Sequence, residues 1–237
     1  MFGRKSSSVQ RCGVTTHQEL TGSSDHESVE RYASSYPARF TDAYWAAFDR
    51  YTQPRLPEHA SGADLGCGPA LFLQQVAKRI PGSTLYGYDV TPAMLEYARI
   101  LDFGASTTHF AVADLSNAPI PLSDQTLDFV AVTQVLHLFP DPLRFLAEVR
   151  RVLKSAGMLL LYDFVRTSFS DYVYRPNLPL DKADGMRRRF MDLYPYRNKY
   201  SVEDWEWILS EFGFEILSIE TPRENFNRLF IAVKSEP

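Results

Sequence analysis

Three carboxylates recur at comparable places along the first half of the chain. Asp64 opens Asp64-Leu65-Gly66-Cys67-Gly68, Asp89 lies 21 residues beyond Gly68, and Asp114 is followed by Leu115. Glycines at a strand-to-helix turn let backbone approach a ligand closely, and a helix N-terminus there favours negative charge. An acid directly before those glycines works against a pyrophosphate, because it puts negative charge where phosphates would sit, and suits a cationic group such as an amine. An acid ending the next strand of such a unit accepts hydrogen bonds from ribose hydroxyls. A dinucleotide loop, Gly-x-Gly-x-x-Gly, would need glycine at Leu71, and Pro69 and Ala70 lie between. At the third position, the Asp114 carboxylate suits an exocyclic adenine amine, with Leu115 packing on the ring. Asp163, at the end of a later apolar run, faces the same ligand edge of a sheet.

The flanking segments say which elements carry these acids. Ala63 to Leu65 closes a short strand. Leu73, Val76, Ala77 and Ile80 keep the i, i+3, i+4, i+7 spacing of an amphipathic helix, with Pro69 suited to its first turn. Thr84 to Asp89 reads as a strand, and Thr91-Pro92 as an N-cap with proline at N1 before Met94, Tyr97, Ala98 and Leu101. Further strands are expected over 110–113, 127–132 and 158–162. Between the last two, a helix should present Leu143, Leu146, Ala147, Arg150 and Leu153. Ser201-x-x-Asp204 is a capping-box pattern opening a helix with Trp205, Ile208, Leu209 and Phe212 on its apolar face. Strands over 215–219 and 229–233 follow, joined too closely for a crossover helix and therefore antiparallel. This alternation predicts an α/β doubly wound sheet whose C-terminus reverses one strand.

Outside that frame, residues 1–28 lack apolar periodicity and are expected to form a loose tail. From Val29 to Tyr51 aromatics cluster, with Phe40, Tyr44 and Phe48 on one helical face. Residues 165–200 carry no strand pattern but hold Tyr172, Tyr174, Tyr194, Tyr196, Tyr200, Arg187 to Arg189 and Arg197. Composition narrows the function classes. The 237 residues carry 25 Lys+Arg against 29 Asp+Glu, a net charge of −4, which opposes broad binding to nucleic-acid phosphates. Two cysteines cannot build a disulfide framework, no apolar run matches a membrane span, and no secretory leader opens the chain; a cytoplasmic protein is expected.

A ligand with an amine, a ribose diol and an adenine amine satisfies all three strand-end acids, and S-adenosyl-L-methionine (SAM), whose sulfonium suits an acidic pocket, is one. The strings ADLGCGPA, YGYDVTPAMLEYAR, VADLSNAPIPLSDQTLDFVAVTQVLHLFPDP and EVRRVLKSAGMLLLYDF resemble the class I SAM-dependent methyltransferases, in particular the small-molecule branch typified by ubiquinone and menaquinone biosynthesis. The resemblance spans residues 62–164 and implies a Rossmann-like seven-stranded sheet with its last strand antiparallel. It implies a methyltransferase domain over 29–237, with a helical lid at 29–57 and a substrate-side insert at 165–200. It further implies that Asp64, Gly66 and Gly68 hold the methionine end, Asp89 the ribose, and Asp114 with Leu115 the adenine, with Cys67, Val90 and Met94 also binding the cofactor. Gln134 would face the methionine moiety through its backbone, and Tyr32 on the lid would cover the cofactor. His137, bordering the active site in the resembled family, and Asp163 are the candidate bases; no metal site is implied. Two positions depart from the family: Ala70 replaces the third loop glycine, and Ser155-Ala156-Gly157 replaces proline-glycine-glycine. The implied reaction is methyl transfer to O, N or C of a small molecule, aromatic or anionic, in biosynthesis, with S-adenosylhomocysteine released. The alternatives are a SAM-binding fold running a cyclisation or rearrangement, and a SAM-binding regulatory subunit. Neither nucleic acid nor membrane is an expected partner, and monomer and homodimer both fit.

Overall fold

The computed structural model describes residues 16–173, 191–223 and 226–236. Seven strands form one sheet: β1 (Ser61–Leu65), β2 (Thr84–Asp89), β3 (Thr107–Val112), β4 (Leu127–Thr133), β5 (Leu153–Phe164), β6 (Phe214–Glu220) and β7 (Asn227–Lys234). Their order is β3-β2-β1-β4-β5-β7-β6. The first five pair in parallel, and β7 slots antiparallel between β5 and β6, as the short link before it requires.

Period-two alternation sorts the central strands onto two cores. Phe129 and Ala131 of β4, Met158, Leu160 and Tyr162 of β5, and Leu229 and Ile231 of β7 join one cluster with α5 (Leu71–Arg79) and α4 (Asp42–Ala47). Val130 and Val132, Leu159 and Leu161, and Phe230 and Ala232 join the other, with α7 (Pro142–Val152) and α8 (Val202–Glu211). Burial on both faces is why these strands read as continuous apolar runs. At the start of β1 the Phe129 ring occupies the space that a Cβ on Gly62 would take, so this position is closed to any side chain.

Four sequence expectations change. Pro69 does not open α5; Ala70 sits before it in the left-handed region (φ 56°), where the family has glycine, and the helix starts at Leu71. On α7 the buried stripe is Pro142, Phe145, Leu146, Val149 and Val152, while Leu143 is 40% exposed. The stripe is rotated because the Arg150 guanidinium turns outward to the carbonyls of Gly213 and Ser235 (2.7 and 3.3 Å). β3 begins three residues before Phe110, because an exposed edge strand carries no apolar alternation to mark it.

The fourth change concerns the N-terminus. Residues 16–28 are helical: α1 (His17–Thr21) and α2 (Asp25–Ser34) each open with a complete capping box, Thr16 with Glu19 and Ser24 with Glu27. Residues 1–15, with Cys12, lie outside the described residues. The segment expected as one lid divides. α2 and α3 (Tyr36–Arg39) lie over the sheet's carboxyl edge, whereas Tyr44, Trp45 and Phe48 are buried core, packing on one another and on Phe72 of α5. The aromatic face 40-44-48 is thus real, but it is a core face.

Ala156 is exposed with φ 56°, in the turn where the family has glycine. Left-handed alanine costs about 1–2 kcal/mol, and glycine gives back part of that in unfolded-chain entropy. Ala156→Gly should therefore stabilise the protein by about 0.5–1 kcal/mol, read as a higher denaturant midpoint at unchanged slope.

Candidate active site

The carboxyl ends of β1, β2 and β4 border a cleft of about 960 Å³, its open mouth included, roofed by Thr16 and residues of α1 to α3. Gly66 N and Cys67 N both donate to the Tyr88 carbonyl (2.8 and 2.9 Å), folding the turn after β1 back onto β2. Gly66 has φ 85°, and a Cβ there would strike the Val135 side chain; glycine is required by both counts. Gly66, Cys67 and Gly68 line the floor, and the buried Cys67 thiol is pushed well above its ordinary pKa by desolvation.

Asp89 ends β2 and lines the cleft. Its Oδ2 accepts from Gly68 N (2.8 Å) and its Oδ1 from Thr91 N (2.9 Å), so one carboxylate pins both the glycine turn and the start of α6 (Pro92–Arg99). Burial raises its pKa, against the hydrogen bonds from Thr91 and Gly68. Val90 and Met94 line the same wall. Thr91 caps α6 without a side-chain bond to it; its hydroxyl accepts instead from Gln18 Nε2 of α1 (3.0 Å).

Asp64, at the end of β1, sits beneath the cleft lining; it is 2% exposed, and its Oδ1 has no hydrogen-bond partner. Desolvation first, then Asp89, push its pKa up to about 8, with Arg39 pulling the other way. Arg39, from α3, lines the cleft; its Nη2 donates to the Tyr32 carbonyl (2.6 Å), and its buried Nε also has no partner. A buried carboxylate and guanidinium, each with an unmet hydrogen-bonding atom, complement a zwitterion: ammonium to Asp64, carboxylate to Arg39. These residues fit the methionine end of SAM.

Other expected residues are placed as follows. Leu115 lines the cleft, but Asp114 does not; its Oδ1 accepts from Ser116 N and Oγ (3.1 and 2.8 Å) and its Oδ2 from Asn117 Nδ2 (3.0 Å), making it a turn cap at the rim. Gln134 lines the cleft with φ 54°, its N–H donating to the Tyr162 carbonyl (2.7 Å). Tyr32 lines the roof, with the Arg39 guanidinium 5.0 Å from its ring centroid. His137 and Asp163 are not cleft residues: they are 3% and 0% exposed, and His137 Nδ1 lies 2.7 Å from Asp163 Oδ1 behind the wall. Burial lowers the His137 pKa, with Asp163 opposing. The histidine that does line the cleft is His17. His17 and Arg39 were not singled out from sequence; the one signal for His17 is the Thr16-x-x-Glu19 capping box around it. Beyond β5, Tyr172 and Tyr194 pack edge to face, and the Arg197 guanidinium lies 4.2 Å from the Phe164 ring centroid. Tyr174 and Arg187 to Arg189 lie outside the described residues.

A family model described as a methyltransferase domain matches residues 63–161, which hold the glycine turn, Asp89 and Gln134. Over this stretch the chain is similar to the class I SAM-dependent methyltransferases. Its cofactor is SAM. Among curated relatives, a malonyl-[acyl-carrier protein] O-methyltransferase of Hahella chejuensis is 31% identical over 97 residues, covering 41% of this chain and 34% of the relative. The methyltransferase fold is shared with a putative methyltransferase solved with the Haloferax volcanii Trm112 activator (TM-score 0.66, 15% identity, 92% of this chain and 98% of that one). It is shared too with a SAM-dependent methyltransferase from Aquifex aeolicus (TM-score 0.62, 19% identity, 88% and 97%). The chain spans 29% to 44% of the length of the curated relatives compared. No helix among the described residues is long and apolar enough to cross a membrane.

Proposed function

We propose that this methyltransferase moves the methyl group of SAM to an oxygen, nitrogen or carbon of a small molecule. The observation that carries the reading is the Asp64 carboxylate and the Arg39 guanidinium, each with an unmet buried atom, near Asp89: two acceptors and one donor complementary to an amino acid and a ribose. When bound, SAM supplies an electrophilic methyl on a sulfonium. The chain's part is largely alignment: Asp64 and Arg39 hold the amino-acid end, Asp89 the ribose diol, and Leu115 and Met94 the apolar adenine faces. Much of the acceleration of an in-line displacement comes from such positioning. The roof formed by α1 to α3 lies over the cleft.

The name of the Hahella relative supports oxygen as the attacking atom. Two cations next to the cleft support an anionic or aromatic acceptor: Arg197 against Phe164, and Lys199, whose Nζ donates to the carbonyl of the cleft residue Phe139 (3.0 Å). Incubation with methyl-labelled SAM and a panel of phenols, amines and carboxylic acids tests the reading. Label in an acceptor, with equimolar S-adenosylhomocysteine, is expected. An acceptor converted without label would replace methyl transfer by the rearrangement chemistry that the same fold can host.

A further inference from the structure

His17 is tied into the site by hydrogen bonds in series. Asp163 Oδ1 accepts from Phe164 N (2.7 Å) and faces His137 Nδ1 (2.7 Å), while its Oδ2 accepts from His137 N (3.1 Å). A carboxylate so supplied with donors acts as an acceptor, so His137 carries its hydrogen on Nδ1 and, when neutral, a lone pair on Nε2. That lone pair faces His17 Nε2 at 3.1 Å across 120 residues of sequence, and His17 Nδ1 lies 2.8 Å from the Tyr32 hydroxyl. The two rings meet through their Nε2 atoms, so one proton between them makes a bond and two place N–H against N–H. α1 is only five residues long, too short to persist without tertiary contacts.

We propose that His17 is a positioning residue: by sharing one proton with His137 it latches α1 and α2 closed over the cleft, with the His137–Asp163 pair as the catch. The proposal rests on the methyltransferase reading only in naming what the closed helices cover. Among the described residues, the groups around the latch are Asp163 from β5, Tyr32 from α2, Arg197 from the helix over 191–197 and Lys199 beyond it. Burial, Arg197 and Lys199 all oppose a charge on His137, and Asp163 favours it, with burial largest; its pKa stays below the ordinary 6.5. The closed form therefore binds fewer protons than the open one. Closure is complete above pH 6.5 and is lost as pH falls below that value toward the lower closed-state pKa.

Backbone hydrogen exchange of the full chain without ligand tests the latch. His17→Leu at pH 7.5 should speed exchange across 17–34 by roughly tenfold, the scale of one buried hydrogen bond, with β1 and β4 unchanged. His137→Asn keeps a donor toward Asp163 while removing Nε2, and should do the same. The double variant should add nothing, because both changes break one contact. Wild type at pH 5.5, corrected for intrinsic exchange, should resemble His17→Leu. Unchanged protection in His17→Leu, additive effects in the double variant, or pH-independent protection in the wild type would each overturn the latch. If His137→Asn disturbs the sheet, His17→Leu, outside the sheet, still decides. SAM titration of the wild type is a separate readout: its failure would sink the methyltransferase reading and leave the exchange result standing.

Discussion

Asp89→Ala should weaken SAM binding by roughly ten- to a hundredfold, with the protein still folded. The carboxylate would lose its bonds to the ribose diol, at about 1.5–3 kcal/mol for a charged acceptor. It also holds Gly68 N–H and Thr91 N–H, and leaving these buried donors unmet costs about 1–3 kcal/mol each. The turn they shape is the floor of the cleft, so the losses couple rather than act separately. Calorimetric titration of SAM into wild type and Asp89→Ala measures the ratio, and a melting curve checks the fold. Asp89→Asn is the sharper companion, since it keeps the size and one acceptor but turns an N–H₂ toward a backbone donor; its affinity should lie between the two. A loss below tenfold in Asp89→Ala would remove Asp89 from the cofactor site.

SAM affinity should rise steeply with pH between 6 and 8, through Asp64. This carboxyl is protonated below about 8 in the ligand-free protein, because burial and Asp89 both oppose its charge. An ammonium placed against it favours the ionised form, so binding must expel the proton. The sign follows: below the free pKa each pH unit of acidification costs about 1.36 kcal/mol, a factor of ten in affinity. Affinity at pH 6 should be roughly a hundredfold weaker than at pH 8, and should fall again above 8 as the ligand's own amine loses its proton. At pH 7 binding should release about one proton, visible as a buffer-dependent heat. Asp64→Asn should bind weakly, with the slope below pH 7 removed. A flat profile in the wild type would mean that Asp64 does not face the cationic end.

Much of the frame was legible because it rests on local rules. Leu73, Val76 and Ala77 on α5 with Ile80 at its C-cap, and Trp205, Ile208 and Leu209 on α8, are buried as their spacing requires. Ser201 and Asp204 form the capping box their spacing announces. The α7 stripe was misread because apolar residues occupy both sides of that helix, and only the target of Arg150 decides which side turns inward. The N-terminal helices were missed for a related reason. Their buried residues are His17 and Ser28, polar groups that hydropathy patterning passes over, although both capping boxes were present in the sequence.

The same division holds at the site. Position along the chain determined Gly66, Gly68 and Asp89, because a strand-turn-helix unit places them at one sheet edge whatever surrounds it. The place of Arg39 on the cleft wall, the rim position of Asp114, and the retreat of His137 and Asp163 behind His17 depended on packing between distant segments, His17 and His137 lying 120 residues apart. Spacing settles which residues share an element and an edge. Which of them is left without a partner is a property of the assembled interior, where burial sets the cost of each unmet charge and so selects Asp64 and Arg39.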